Sequence, residues 1–136
     1  MSKNAYRALL TGVLFFSLVS CAHRPTPEEL ATADYGAYPN NYQEIVKGYF
    51  AILLKDPYSA QYELWKGPTQ MWYSFFDHGR FGYGVCVGIN AKNSYGGYTG
   101  LKVHYVLINN GVVVRHMSSD ENQFIVQDAC KIVSKT

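Results

Sequence analysis

The residue types in this chain that could do chemistry are few: three cysteines, four histidines and a sparse set of carboxylates. Cys86 and Cys130 could form a disulfide, a redox pair or half of a metal site. Their spacing matches neither the CxxC of thiol oxidoreductases nor the ligand spacing of zinc modules. Cys86 lies in Phe81-Gly82-Tyr83-Gly84-Val85-Cys86-Val87-Gly88-Ile89, where the odd positions are large and apolar and the even ones are glycine or cysteine. Such a strand carries one bulky face and one bare face, and a bare face is an invitation to close approach by another element. Cys130 sits in Phe124-Ile125 to Val133, which reads as a C-terminal helix able to cover that face.

The histidines are placed by register. Asn110-Gly111 is the strongest short hairpin signal, and a regular ladder from it pairs Tyr105 with His116. His104 and His116 then fall on opposite faces of the sheet and cannot share a metal unless a bulge intervenes. His78 follows Asp77 in a turn, and Glu63 and Asp77 read as solvated carboxylates. No phosphate-binding glycine loop stands between a strand and a helix. The sequence therefore suggests neither an enzyme nor a cofactor, and it offers no metal ligand set.

The loop that follows the bare strand has the composition of a contact surface. Lys92, Asn93, Ser94, Tyr95, Gly96, Gly97 and Tyr98 combine tyrosines with small, adaptable polar residues. Lys92, Asn93, Tyr95 and Tyr98 are the candidate partner-binding residues. The alternative is a long hairpin connection whose tyrosines fold back on the core.

The elements that must position these residues read as follows. Asn41 with Glu44 resembles a capping box, and Tyr42, Ile45, Val46, Tyr49 and Leu53 form an apolar stripe up to Asp56-Pro57. Ser59 to Lys66 and Thr69 to Phe76 each alternate, with Gly67-Pro68 as a turn between them. The bare strand, Leu101 to Asn109 and Val112 to Met117 follow, and Ser118 with Glu121 caps the final helix. The expected fold is α+β: an antiparallel meander of about five strands flanked by an N-terminal and a C-terminal helix, with helices on one face.

The first residues are an address. Lys3 and Arg7 precede an apolar run from Ala8 to Val19, too short to span a bilayer comfortably. Leu18-Val19-Ser20-Cys21 resembles the lipobox of bacterial lipoproteins. The resemblance implies a signal peptide over 1–20, cleavage before Cys21 and acylation (palmitate among the chains) of Cys21. Ala22, rather than Asp, implies the periplasmic face of the outer membrane. In that oxidising compartment the Cys86 and Cys130 thiols are expected to form a disulfide. Residues 21–40, with Pro25, Pro27 and Pro39, read as a tether, and 41–136 as one domain. Without Lys3 and Arg7 the remaining basic residues only balance the ten acidic ones, which gives nucleic-acid binding no electrostatic support.

The strings Lys55-Asp56-Pro57-Tyr58-Ser59-Ala60-Gln61-Tyr62 and Asn90-Ala91-Lys92-Asn93-Ser94-Tyr95-Gly96-Gly97-Tyr98 resemble those of small bacterial lipoproteins and periplasmic proteins to which no activity is assigned. The resemblance spans about 42–114 and implies that the loop belongs to the domain's design. The sequence thus leads to a lipid-anchored periplasmic binding or scaffolding protein, attached to the membrane through its lipid and partnered by an envelope or secretion component. The alternatives are an inhibitor of a lysozyme-like enzyme and a carrier of a small ligand.

Overall fold

The computed structural model describes residues 24–73 and 79–133. The signal segment, Cys21, Asp77 and His78 lie outside them. In chain order the elements are α1 (Pro27–Thr32), α2 (Tyr42–Leu53), β1 (Asp56–Tyr73), β2 (Arg80–Lys92), β3 (Lys102–Asn109), β4 (Val112–Ser118) and α3 (Ser119–Val133). The strands form one open antiparallel sheet in the order β1-β2-β3-β4, so the class is α+β. No helix among the described residues is long and apolar enough to cross a membrane.

The sheet is covered on both faces, not one. On the first face Val46 and Phe50 of α2 pack on Val85, Val87, Ile89, Val106 and Ile108. On the second, Val126, Cys130 and Val133 of α3 pack on Met71, Cys86, Tyr105, Leu107 and Met117. The physical reason lies in β3, where Tyr105, Val106, Leu107 and Ile108 are all buried. A strand apolar on both sides must be sandwiched. The bare face of β2 is filled by side chains of the flanking strands β1 and β3 and is tied to α3 through Cys86. A Cβ on Gly84 would stand 2.6 Å from Met71 Cγ and 3.1 Å from Tyr105 Cε2. Cys86 is bonded there to Cys130, with a Cα–Cα distance of 5.8 Å.

Among the described residues four strands stand where the sequence suggested five. The Gly67-Pro68 turn is not a turn; β1 runs through it. Between Glu63 and Lys66 β1 spends three steps against two in β2, and again between Lys66 and Thr69, so each interval absorbs one extra residue as a bulge. An edge strand tolerates this, because only one side of its backbone must stay in register. Gly67, at φ +91°, has its Cα side only 2.4 Å (as a Cβ would lie) from the Gly84 carbonyl oxygen, so the β1 backbone presses directly on β2 there.

Both helix starts also differ from the capping boxes expected for them. The Asn41 side chain makes no capping hydrogen bond, and α2 begins instead on backbone bonds, Tyr42 N to Pro39 O at 3.0 Å and Ile45 N to Asn41 O at 3.2 Å. Ser118 remains in β4, and its Oγ accepts from Asp120 N at 3.3 Å.

Nor is 21–40 a plain tether over its described part. Thr26 and Glu29 close a reciprocal capping box, with Thr26 Oγ1 accepting from Glu29 N at 3.2 Å and Glu29 Oε2 accepting from Thr26 N at 2.7 Å. Pro27 occupies the first turn, where its missing N–H costs nothing. The following residues dock. Asn109 Nδ2 donates to Asp34 O at 3.3 Å, and Ala37 N donates to Asn110 Oδ1 at 3.1 Å. The Tyr35 ring stands edge-on to Phe81 at 5.6 Å, and Tyr38 edge-on to Tyr83 at 5.2 Å. All these partners lie at the end of the sheet that holds the Asn110-Gly111 turn. The β2–β3 loop lies at the other end, the length of β2 away. With 13 residues in β2, that is about 40 Å.

Candidate binding surface

Asn93 shapes the β2–β3 loop. Its Oδ1 accepts from Tyr95 N at 2.9 Å and from Gly97 N at 3.1 Å. Its backbone closes the same turn, Asn93 N donating to Gly97 O at 2.8 Å and Gly96 N to Asn93 O at 3.0 Å. Gly96 sits at φ +83° with open space where a Cβ would be, so glycine is needed there for its backbone and not for its size. The loop is anchored again at its exit, where Thr99 N and Oγ1 both donate to Ala91 O and Gly100 N donates to Asn90 Oδ1 at 3.1 Å. This dense local bonding makes a stiff turn.

The two tyrosines it carries have different surroundings. Tyr95 is 97% exposed. Tyr98 is partly covered: its hydroxyl donates to Ser59 O in β1 at 3.1 Å, Lys92 Nζ lies 5.3 Å from its ring centroid, and its backbone bridges to Lys92. Tyr98 and Lys92 therefore brace the loop against the edge strand, and Asn93 braces it from within. Of the four candidate residues, Tyr95 alone is presented wholly to solvent. Tyr58, next to the Ser59 that receives Tyr98, is also fully exposed, so a second aromatic ring stands at the same end of the sheet.

The histidines show what regular pairing missed. Leu107 pairs Arg115 while Ile108 pairs Val113, so Val114 is an extra residue in β4. This bulge pairs His116 with Val106 and puts it on the same face as His104. His104 Nδ1 and His116 Nε2 are 2.9 Å apart, one ring N–H donating to the other ring's nitrogen. Phe50 of α2 stands edge-on to both rings, at 4.9 Å and 5.0 Å, and Tyr49 edge-on to His116 at 5.5 Å. Burial first, then the neighbouring His116, pulls His104 down to about 4, while Asp120 opposes and Lys102 assists. His116 is lowered too, by burial, with Glu121 opposing. Both rings are thus neutral near pH 7. Among the described residues no group of three or more His, Cys, Asp or Glu gathers as metal ligands would. The pair joins sheet to α2. The two histidines of adjacent strands were visible in the sequence, but the bulge that unites them was not.

On the opposite face the Tyr105 hydroxyl is buried with no hydrogen-bond partner among the described residues, and burial with Tyr73 nearby raises its pKa. Tyr73 spends its own hydroxyl on Met117 Sδ at 3.0 Å, and Arg115 lies over its ring at 5.0 Å. These groups line a packed layer, not a surface. Among the described residues the most exposed large apolar side chains are Ile52, Tyr58, Tyr95 and Phe124, and of these Tyr95 stands on the stiff loop. Neither a family model, nor a curated protein, nor a solved structure matches this chain.

Proposed function

We propose that this chain is a lipid-anchored binding or scaffolding module of the bacterial envelope, held through Cys21 at the periplasmic face of the outer membrane, with the Asn93-braced loop as its partner surface. The observation that carries the reading is the almost complete exposure of Tyr95 on a turn already fixed by its own hydrogen bonds. A fixed aromatic loses little entropy when a partner covers it. Buried tyrosines are also among the residues on which interface energy concentrates. The charge–apolar–Cys order of the first 21 residues supports the anchor.

The test uses the full chain in envelope extract. Cys21→Ser should abolish lipid labelling and leave unprocessed precursor. Tyr95→Ala should reduce recovery of crosslinked envelope partners by about tenfold while leaving the lipid in place. Equal recovery by wild type and Tyr95→Ala would overturn the loop as the partner surface. The second reading, inhibition of a lysozyme-like enzyme, rests on the same exposed Tyr95. Capture of added lysozyme, with no endogenous partner, would select it.

A further inference from the structure

We infer that the anchor holds the domain in one orientation, with the end that carries α1, residues 33–40 and the Asn110-Gly111 turn seated on the lipid surface and the Tyr95 loop directed away from it. This rests on the anchored reading above and adds to it where the partner must stand.

The sequence alone suggested a loose tether of some twenty residues. The structure shortens it. Pro25 already lines a groove against Trp72 and Phe81, with Glu29, Ala33 and Asp34. From there to α2 the chain is fastened to the body through Asp34, Tyr35, Ala37 and Tyr38. Pro25 stands four positions after Cys21, a reach of at most about 14 Å. An acyl chain on Cys21 must enter the bilayer, so this end of the sheet cannot stand farther off than that. The sheet is about 40 Å long (13 residues in β2). A body so much longer than its leash cannot present either end to the membrane at will.

The surface at this end suits a lipid headgroup layer. Leu30, Tyr38 and Val112 are exposed there, at 39%, 52% and 62%. Tyrosine favours the boundary between headgroups and water because its ring is apolar and its hydroxyl is not. The nearby charges are mixed, Arg24 and Arg80 with Glu28, Glu29 and Asp34, so the contact depends on apolar side chains and the leash, with no net attraction to anionic lipid. The opposite end carries Tyr58, Tyr95 and Tyr98. The partner of that end is therefore a component standing clear of the anchoring bilayer, across the compartment, and not a protein embedded in the same leaflet.

The full lipidated chain in phosphatidylethanolamine–phosphatidylglycerol vesicles tests this. Val112→Cys and Tyr95→Cys are labelled separately with a donor dye, and energy transfer is measured to an acceptor on the lipid headgroups. Transfer from position 112 should exceed that from position 95 by at least about fivefold, given the ~40 Å between the ends. Inserting about twenty Gly and Ser residues after Arg24, a coil of roughly 25 Å, should bring the two signals together. Equal transfer from both sites in the chain without the insertion, with the acyl mass present on Cys21, would overturn the orientation and leave the anchor standing. Absence of the acyl mass would overturn both.

Discussion

His104 offers a quantitative test of the α2 interface. Its pKa falls from an ordinary 6.5 to about 4, chiefly by burial against α2 and then by His116. The folded state therefore binds fewer protons than the unfolded chain between these values. The sign follows: stability is fully present above pH 6.5, falls as pH drops toward 4, and changes no further below it. Integrated from pH 7.5 to 5, one such histidine removes about 2 kcal/mol. His116, lowered in the same direction, adds to the loss. For a domain of this size the melting temperature should drop by roughly 8–16 °C. Urea unfolding of the folded domain between pH 5 and 7.5 measures the slope directly. His104→Asn keeps a polar group near the position of Nδ1 but cannot titrate. It should cost about 1 kcal/mol at pH 7.5 and flatten the profile. A His104→Asn variant with the same slope as wild type would refute the argument, because the acid sensitivity would then arise elsewhere.

Three further outcomes follow from the packing. Cys130→Ser opens a loop of 44 residues in sequence separation and should cost about 4 kcal/mol; alkylation under denaturing, non-reducing conditions should leave Cys86 and Cys130 unmodified in periplasmic protein, and a free thiol at either would contradict the pairing. Tyr98→Phe loses only the bond to Ser59 and should cost about 1 kcal/mol in urea with unchanged capture per folded molecule, whereas Tyr95→Ala should leave stability within about 0.5 kcal/mol and lose capture. Gly84→Val pushes side-chain atoms toward Met71 and Tyr105 and should lower the unfolding free energy by about 1–3 kcal/mol; an unchanged urea midpoint would mean that the layer under α3 is looser than its geometry.

What could be read from the sequence was what a local pattern encodes. The alternation from Phe81 to Ile89 marks β2 and its bare face, and Asn110-Gly111 marks the β3–β4 turn, where Asn110 and Gly111 take φ +48° and +76°. The covering of both faces was also written in β3, whose run from Tyr105 to Ile108 leaves no side for water. Thr26-Pro27-Glu28-Glu29 spells a capping box, but three nearby prolines made the segment look like a spacer. The bulge at Val114 was not legible, because Val112, Val113 and Val114 are alike and alternation cannot say which is extra. It moves His116 across the sheet, so the His104–His116 pair was lost with it. The passage of β1 through Gly67-Pro68 was hidden for a related reason: the dipeptide signals a turn locally, and only pairing with β2 on both sides of it keeps the strand going. Within the loop, composition pointed to Tyr95 and Tyr98 alike. The bond from Tyr98 to Ser59, 39 residues away in sequence, is what separates them.

Tyr95 is expected to meet a partner in the envelope. Placing a photo-crosslinking amino acid at position 95, and separately at Val112, in the full lipidated chain in intact cells tests it most directly. A discrete adduct is expected from position 95, resolved by mass spectrometry to one envelope component, and at 112 only lipid. An adduct from 112 with the same component, or none from 95 while the acylated, folded protein is abundant, would contradict it.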